Sequence, residues 1–366
     1  MRICFVAHAG SANTASWCNH FADVLGHDVH VVSLCDGPGL AAAVTQHVLP
    51  PAVSGPFSYA LAVPAVREAV RRISPDLVVG YRVMSYGFLA AATGFHPLAI
   101  AAQGRVVSPP AAWIKQRLVD FALGRADLVN SWGPHMTERL VEVGAVPGTI
   151  LTCPRGIDLA LFRAPDGDAA LAPAGRAALA PSVIVTRTFH RAYKHDVLLR
   201  ALKRVSETRA DVRAAFVGEG EARAELERLS EDLGIAGSVD FPGVLSPERL
   251  ARRLRNSTVY VSSVQTDGVS ASLLEAMASG TYPVVVDNAA NRLWIENGKN
   301  GTLVAGCDAA AIARAILEAL DDDELRARAA ALNRRIVEER ADLYGNMKTI
   351  ERAYARLVES RGGGSA

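Results

Sequence analysis

The sequence has almost no surplus of either charge: 39 lysines and arginines stand against 38 aspartates and glutamates, a formal balance of +1. That removes the main ground for expecting a nucleic-acid partner, whose binders carry a strongly basic face. Cysteine is scarce. The five residues Cys4, Cys18, Cys35, Cys153 and Cys307 are scattered, with no C-x-x-C pair. An odd, unclustered set argues against a disulfide framework and a zinc site, and fits a reduced, cytoplasmic protein. No apolar run reaches the roughly 18 residues that a membrane-spanning helix needs. The first strand begins at Arg2, so no signal peptide is expected ahead of it. A G-x-G-x-x-G fingerprint is also missing; Gly10 stands alone after the first strand, so the case for a dinucleotide is weak.

What remains is 366 residues, half of them hydrophobic, enough for two cores rather than one. Ile3–Val6, Val29–Leu34, Asp76–Gly80, Leu98–Ala102, Asp127–Ser131 and Thr149–Cys153 are β-branched or apolar runs. Helical patterns separate most of them. A Pro/Gly-rich loop follows the second strand, and a helix is expected from Pro64 to Ile73. Strand–helix alternation of this kind predicts a parallel sheet covered on both faces. The run from Ala164 to Pro181 breaks the pattern with many turn formers, which places the domain boundary there. Alternation restarts at Ser182–Thr186 and continues through Ala214–Val217, Val239–Phe241, Val259–Val261, Tyr282–Val286 and Gly301–Val304. The chain then reads as helices from Asp323 to Val358 and a disordered tail from Arg361. The expected division is 1–165, 181–343 and a final helix at 344–360 that packs back on the first domain. The fold class is α/β, with two Rossmann-like parallel-sheet domains facing a cleft.

One stretch concentrates chemistry. Thr266–Gly280 reads as a strand exit, a turn at Asp267-Gly268 and a helix from about Ser270. Loops at strand C-termini that open onto helix N-termini are where open α/β sheets take anionic ligands. Two readings stay open. Ser272-Leu-Leu-Glu275 fits a capping box, in which Glu275 only ties back the helix start. Alternatively Glu275 accepts hydrogen bonds from a ribose diol. Arg187 and Lys194, in the loop after the first strand of the second half, suit a diphosphate: a fork and a point charge. They also suit a solvated basic loop. Gly218, Gly268 and the amides of Val269 and Ser270 allow a close backbone approach to a ligand.

The second half resembles the family 4 retaining glycosyltransferases of the GT-B fold. Asp267-x7-Glu275, running into Glu275-Ala-Met-Ala-Ser-Gly280, is similar to their Glu-x7-Glu element. Thr186-Arg187…Lys194-His195, Gly218-Glu219-Gly220, Pro154-Arg-Gly-Ile-Asp158 and Asn300-Gly301-Thr-Leu-Val304 match further family elements, over residues 125 to 320. The resemblance implies that Arg187 and Lys194 hold the diphosphate, Glu275 the ribose, and Asp267 with Gly268, Val269 and Ser270 the transferred sugar. Val244 would sit near the base, and Gly10 would approach the diphosphate from the first domain. Departures stand at Asp267, one methylene shorter than the usual Glu, at Ala9-Gly10, which replaces a double glycine, and at Gln103-Gly104, where many members carry His.

The implied activity moves a sugar from a UDP-sugar, or next a GDP-sugar, to a hydroxyl on a small-molecule, glycan or lipid-linked acceptor. No metal and no cofactor are expected. The alternatives are a sugar-nucleotide-binding protein without turnover, and a nucleotide-sugar epimerase or phosphorylase. Ala111–Arg117 sets a tryptophan among cations. Such a run fits peripheral contact with the inner membrane face, though an ordinary amphipathic helix explains it more simply.

Overall fold

The computed structural model describes residues 1–50, 57–103, 113–164 and 182–362. It divides into two units. The first holds Met1–Arg155 and Gly345–Ala366, and the second Gly156–Tyr344. The boundary run expected at 164–181 lies, from residue 165 on, outside the described residues.

In the first unit seven strands form one parallel sheet: β1 (Arg2–Val6), β2 (Asp28–Ser33), β3 (Val44–Val48), β4 (Leu77–Tyr81), β5 (Leu98–Ala101), β6 (Leu128–Ser131) and β7 (Ile150–Thr152). Their order is β3-β2-β1-β4-β5-β6-β7. β3 departs from the sequence reading, which placed the loop there. Its residues Val-Thr-Gln-His-Val are mostly exposed at the sheet edge, so no apolar alternation marks it. The helix expected to start at Pro64 instead runs Phe57–Ile73 with the proline inside it. The last helix, Leu343–Gly362, belongs to this unit from Gly345 on. Met347, Ile350 and Tyr354, one helical stripe, are fully buried, and Tyr354 stacks on Phe21 at 5.7 Å. Arg361 and Gly362 thus continue a helix where a disordered tail was expected.

The second unit holds a six-stranded parallel sheet: β8 (Ser182–Thr186), β9 (Arg213–Val217), β10 (Val239–Gly243), β11 (Val259–Ser262), β12 (Tyr282–Val286) and β13 (Thr302–Val304). The order is β10-β9-β8-β11-β12-β13. Its central strands are apolar throughout because both faces are covered. Val183, Val185, Val259, Val261 and Val284 pack into one core with helices His195–Thr208 and Ala309–Asp321. Ile184, Tyr260 and Val285, pointing the other way along the same strands, pack with helices Pro247–Arg255 and Ala271–Ala278. Among the described residues no helix is long and apolar enough to cross a membrane.

The strand order of each unit reverses beside its first strand, between β1 and β4 and again between β8 and β11. In open parallel sheets this reversal point opens a crevice at the strand C-termini. Arg187 directly follows β8, and the stretch around Asp267 follows β11.

Candidate nucleotide-sugar site

Because β8 and β11 are neighbours, residues 80 positions apart in sequence meet. Arg187 Nη2 donates to Asp267 Oδ2 at 2.6 Å, and Nη1 donates to Ser270 Oγ at 3.0 Å. The second Asp267 oxygen accepts the Gly268 amide at 2.9 Å. The guanidinium also lies over the Tyr193 ring, 4.8 Å from its centroid. The Arg187 and Asp267 side chains are 17% and 15% exposed, so either charge alone would be costly to bury. Burial by itself would lower the Arg187 pKa. Asp267, with Tyr260 and Tyr193, outweighs burial and holds it above the ordinary arginine value. The result is a permanent cation whose donor fork is aimed by a carboxylate and a hydroxyl.

Lys194 ends the same loop and takes the N-cap place of helix His195–Thr208 with φ 57° and ψ 39°. A left-handed lysine costs about 1–2 kcal/mol relative to the right-handed region. Such strain persists only where surrounding structure enforces it, and it concentrates at functional sites. The enforcing group is Ser263, after β11, whose hydroxyl donates to the carbonyls of Tyr193 at 2.6 Å and Lys194 at 3.1 Å. The Lys194 side chain is exposed and forms no ion pair among the described residues. It therefore stands beside a helix N-terminus, which already favours anions. His195, next in the chain, is buried. Its Nε2 lies 3.1 Å from the Thr188 carbonyl, and burial pushes its pKa down.

Gly218 is held against protein rather than left facing open space. Its φ is 154°, and a Cβ there would fall 2.2 Å from the Arg187 carbonyl oxygen. The Arg187 amide bonds Val217 O at 3.1 Å, and the Gly218 amide bonds Gly243 O at 3.0 Å. Gly220, at φ 156°, approaches the Phe189 backbone in the same way. The two glycines let the β9 exit lie flat on the Arg187 loop, fixing where the guanidinium starts.

Ser270 is the N-cap of helix Ala271–Ala278, its Oγ accepting from the Leu273 amide at 3.3 Å. This corrects the capping-box alternative. Ser272 lies inside the first turn, and Glu275 falls two residues past the position that would close a box on Ser270, which Leu273 occupies. Glu275 is half-buried on that helix. Gly268 and Ser270 are buried, Val269 packs partly against the core, and Val244, just past β10, is 74% exposed.

In the first unit Gly10 is exposed in the turn after β1; a Cβ there would meet the His8 ring at 3.3 Å. Gln103, two residues past β5, is 5% exposed, and its amide nitrogen has no partner among the described residues. Gly104 lies outside the described residues. Sequence reasoning missed the aromatic group around Gln103. Tyr81, at the end of β4, lies beside Gln103 and donates its hydroxyl to the Asn13 carbonyl at 3.3 Å; burial pushes its pKa up. Trp17 meets Tyr81 edge-on at 5.5 Å and stacks on Trp132 at 6.4 Å. Both indole N–H groups are buried without partners among the described residues, as are both ring nitrogens of His135. Each aromatic alone reads as core; a polar atom left over after β6, in Ser131-Trp-Gly-Pro-His135, was the available signal. Trp113, from the run that mixed an aromatic with cations, is 75% exposed; Ala111 and Ala112 lie outside the described residues. Among the described residues no three His, Cys, Asp or Glu side chains gather as a metal set.

A family model described as "Glycosyl transferases group 1" matches residues 180–335, and one described as "Glycosyl transferase 4-like" matches residues 2–132. A D-inositol 3-phosphate glycosyltransferase of Streptomyces avermitilis is 29% identical, over 63% of this chain and 51% of its own length. A GDP-mannose-dependent alpha-(1-6)-phosphatidylinositol monomannoside mannosyltransferase of Mycolicibacterium smegmatis is 27% identical, over 57% of this chain and 56% of its own. The chain thus spans about half the length of the curated relatives it matches. The crystal structure of Anabaena HepE in complex with UDP and glucose is similar with a TM-score of 0.80 at 18% identity, over 97% of this chain and 99% of that one.

Proposed function

The chain belongs to the GT-B glycosyltransferases, and from that premise we propose that it is a retaining enzyme that moves a sugar from a nucleotide-diphosphate donor to a hydroxyl acceptor. The observation that carries this reading is the Arg187 fork, aimed by Asp267 and Ser270 at the strand-order reversal, with left-handed Lys194 on the adjoining helix N-terminus. Charge grows on the leaving diphosphate as the glycosidic bond breaks. Fixed cations and helix amides already in place stabilise that charge without reorganising. Among the described residues of the second unit no side chain stands as an obvious nucleophile, which fits a front-face reaction in which the leaving phosphate takes the acceptor proton.

In this reading Arg187 and Lys194 hold the diphosphate, Glu275 the ribose, and exposed Val244 lies near the base. Asp267 has two tasks, orienting Arg187 and facing the sugar. The donor is a UDP-sugar first and a GDP-sugar second: HepE was solved with UDP and glucose, and the mannosyltransferase is named for GDP-mannose. A binding screen of UDP-, GDP-, ADP- and dTDP-sugars tests the assignment, and failure of all four to bind would remove it.

Two expected results follow directly. Glu275→Gln should keep its melting temperature and lose about 1.5–3 kcal/mol of nucleotide affinity, the range for hydrogen bonds to a charged group. Ser270→Ala should do the reverse in stability, costing about 1–2 kcal/mol through loss of the cap and of the Arg187 contact. A Glu275→Gln protein that melts early yet binds normally would assign Glu275 to the helix. The proposed mechanism also draws its charge stabilisation from Arg187 and Lys194. Transferase activity should therefore persist after exhaustive chelation, and loss that magnesium or manganese restores would count against it.

A further inference from the structure

On the second unit, helix Pro247–Arg255 lies beside the edge strand β10, joined to it through Arg253 and Asp240. Ala251 and Leu254 are buried in the core, and that phase turns Arg249, Arg252 and Arg253 outward. The three arginines, spaced i, i+3 and i+4, share one helix face. With Asp240 and Leu245 from the strand side and Asn256 at the helix end, they line a cavity of about 310 Å³. Arg253 Nη2 donates to Asp240 Oδ2 at 3.0 Å. Among the described residues Arg249 and Arg252 form no ion pair. Elsewhere in this unit Arg191, Arg209, Arg223 and Arg292 each have a carboxylate partner. The cavity wall therefore carries three cations and one carboxylate, in a chain whose overall balance is +1.

Like charges three and four residues apart on a helix repel, so this face is less stable empty than with an anion across it. We propose that the cavity is a binding site for a phosphomonoester dianion, either on a small molecule or on a lipid headgroup. Its chemistry is distinct from that of the donor site and does not depend on the donor assignment. Arg249 and Arg252 provide planar forks for the phosphate oxygens. Asp240 holds Arg253 in place and also repels the ligand. Leu245 gives one apolar wall for the ester group.

The test uses the full chain, first with UDP present to fill the donor site. Glycerol phosphate is titrated calorimetrically into the protein and into the Arg249→Gln/Arg252→Gln double variant, whose changes are on the surface. In parallel, both proteins are floated with phosphatidylcholine vesicles, with and without phosphatidic acid. The double variant is expected to lose affinity about tenfold or more for whichever probe binds, and to keep its UDP affinity. Asp240→Asn is expected to bind several-fold tighter, because the repelling carboxylate is gone. Binding of glycerol phosphate alone identifies a soluble ligand, and binding only to phosphatidic acid vesicles a lipid. Equal affinity of parent and double variant for the probe that binds, or no binding of either probe, overturns the proposal.

Discussion

Replacing Lys194 with alanine is expected to lower turnover about 100-fold or more while leaving the protein folded. One preorganised donor aimed at developing charge is worth about that much in a water-poor site. The structure gives this expectation a sharper form than the sequence could. Lys194 sits in the left-handed region, held there by the Ser263 hydroxyl. Glycine adopts that conformation without steric cost. Lys194→Gly should therefore be at least as stable as the parent, within the small entropic penalty of glycine, and still lose turnover as the alanine variant does. Thermal denaturation and steady-state kinetics on the same preparations check both halves. A Lys194→Gly protein with near-normal turnover would leave the strained backbone without a functional reason and end the diphosphate assignment.

Gly218→Ala is expected to cost about 3 kcal/mol or more of stability. Its Cβ would sit 2.2 Å from the Arg187 carbonyl oxygen and 3.0 Å from the carbonyl carbon. Both are backbone atoms, fixed by the Arg187 amide bond to Val217 O and the Gly218 amide bond to Gly243 O. They cannot yield as a flexible side chain would. The positive φ of 154° adds strain of its own. If the loop shifts to accommodate the methyl, Arg187 moves with it, and nucleotide affinity should fall alongside stability. Urea denaturation reads the first effect and nucleotide titration the second. A variant within about 0.5 kcal/mol of the parent, the usual range for an inconsequential surface change, would mean that the Gly218 contact does not hold the loop.

These two positions show what the sequence could and could not convey. The strands around the site were legible because parallel strands buried on both faces are apolar at every position, as in Val259-Tyr-Val261 and Tyr282–Val286. The order of motifs from Arg187 to Gly280 carried the family. β3 was not legible: an edge strand of Val-Thr-Gln-His-Val has no buried periodicity to display. The helix start at about Ser270 was legible, but the choice of cap was not: Ser270 and Ser272 both offer a hydroxyl, and only the bond to the Leu273 amide selects Ser270. The Arg187–Asp267 pair was out of reach for another reason. Both residues had been assigned to the ligand, and nothing local in the sequence says that two groups 80 residues apart bond to each other. That Gly218 lies against the Arg187 backbone was not legible either, because only the packing brings the β9 exit onto that loop.

A retaining transferase breaks the donor's glycosidic bond with the diphosphate held in place and keeps the sugar's anomeric configuration, so the product itself reports the reaction. The most direct measurement is product analysis of donor hydrolysis and transfer, beginning with UDP-glucose and GDP-mannose, with the released or transferred sugar read by proton NMR before it mutarotates. The predicted result is nucleoside diphosphate together with a sugar of the donor's own α configuration, formed by the parent protein and nearly absent with Lys194→Ala. Release of the β anomer would contradict retention. A protein that binds a donor yet leaves it intact under every condition would contradict the transferase reading itself.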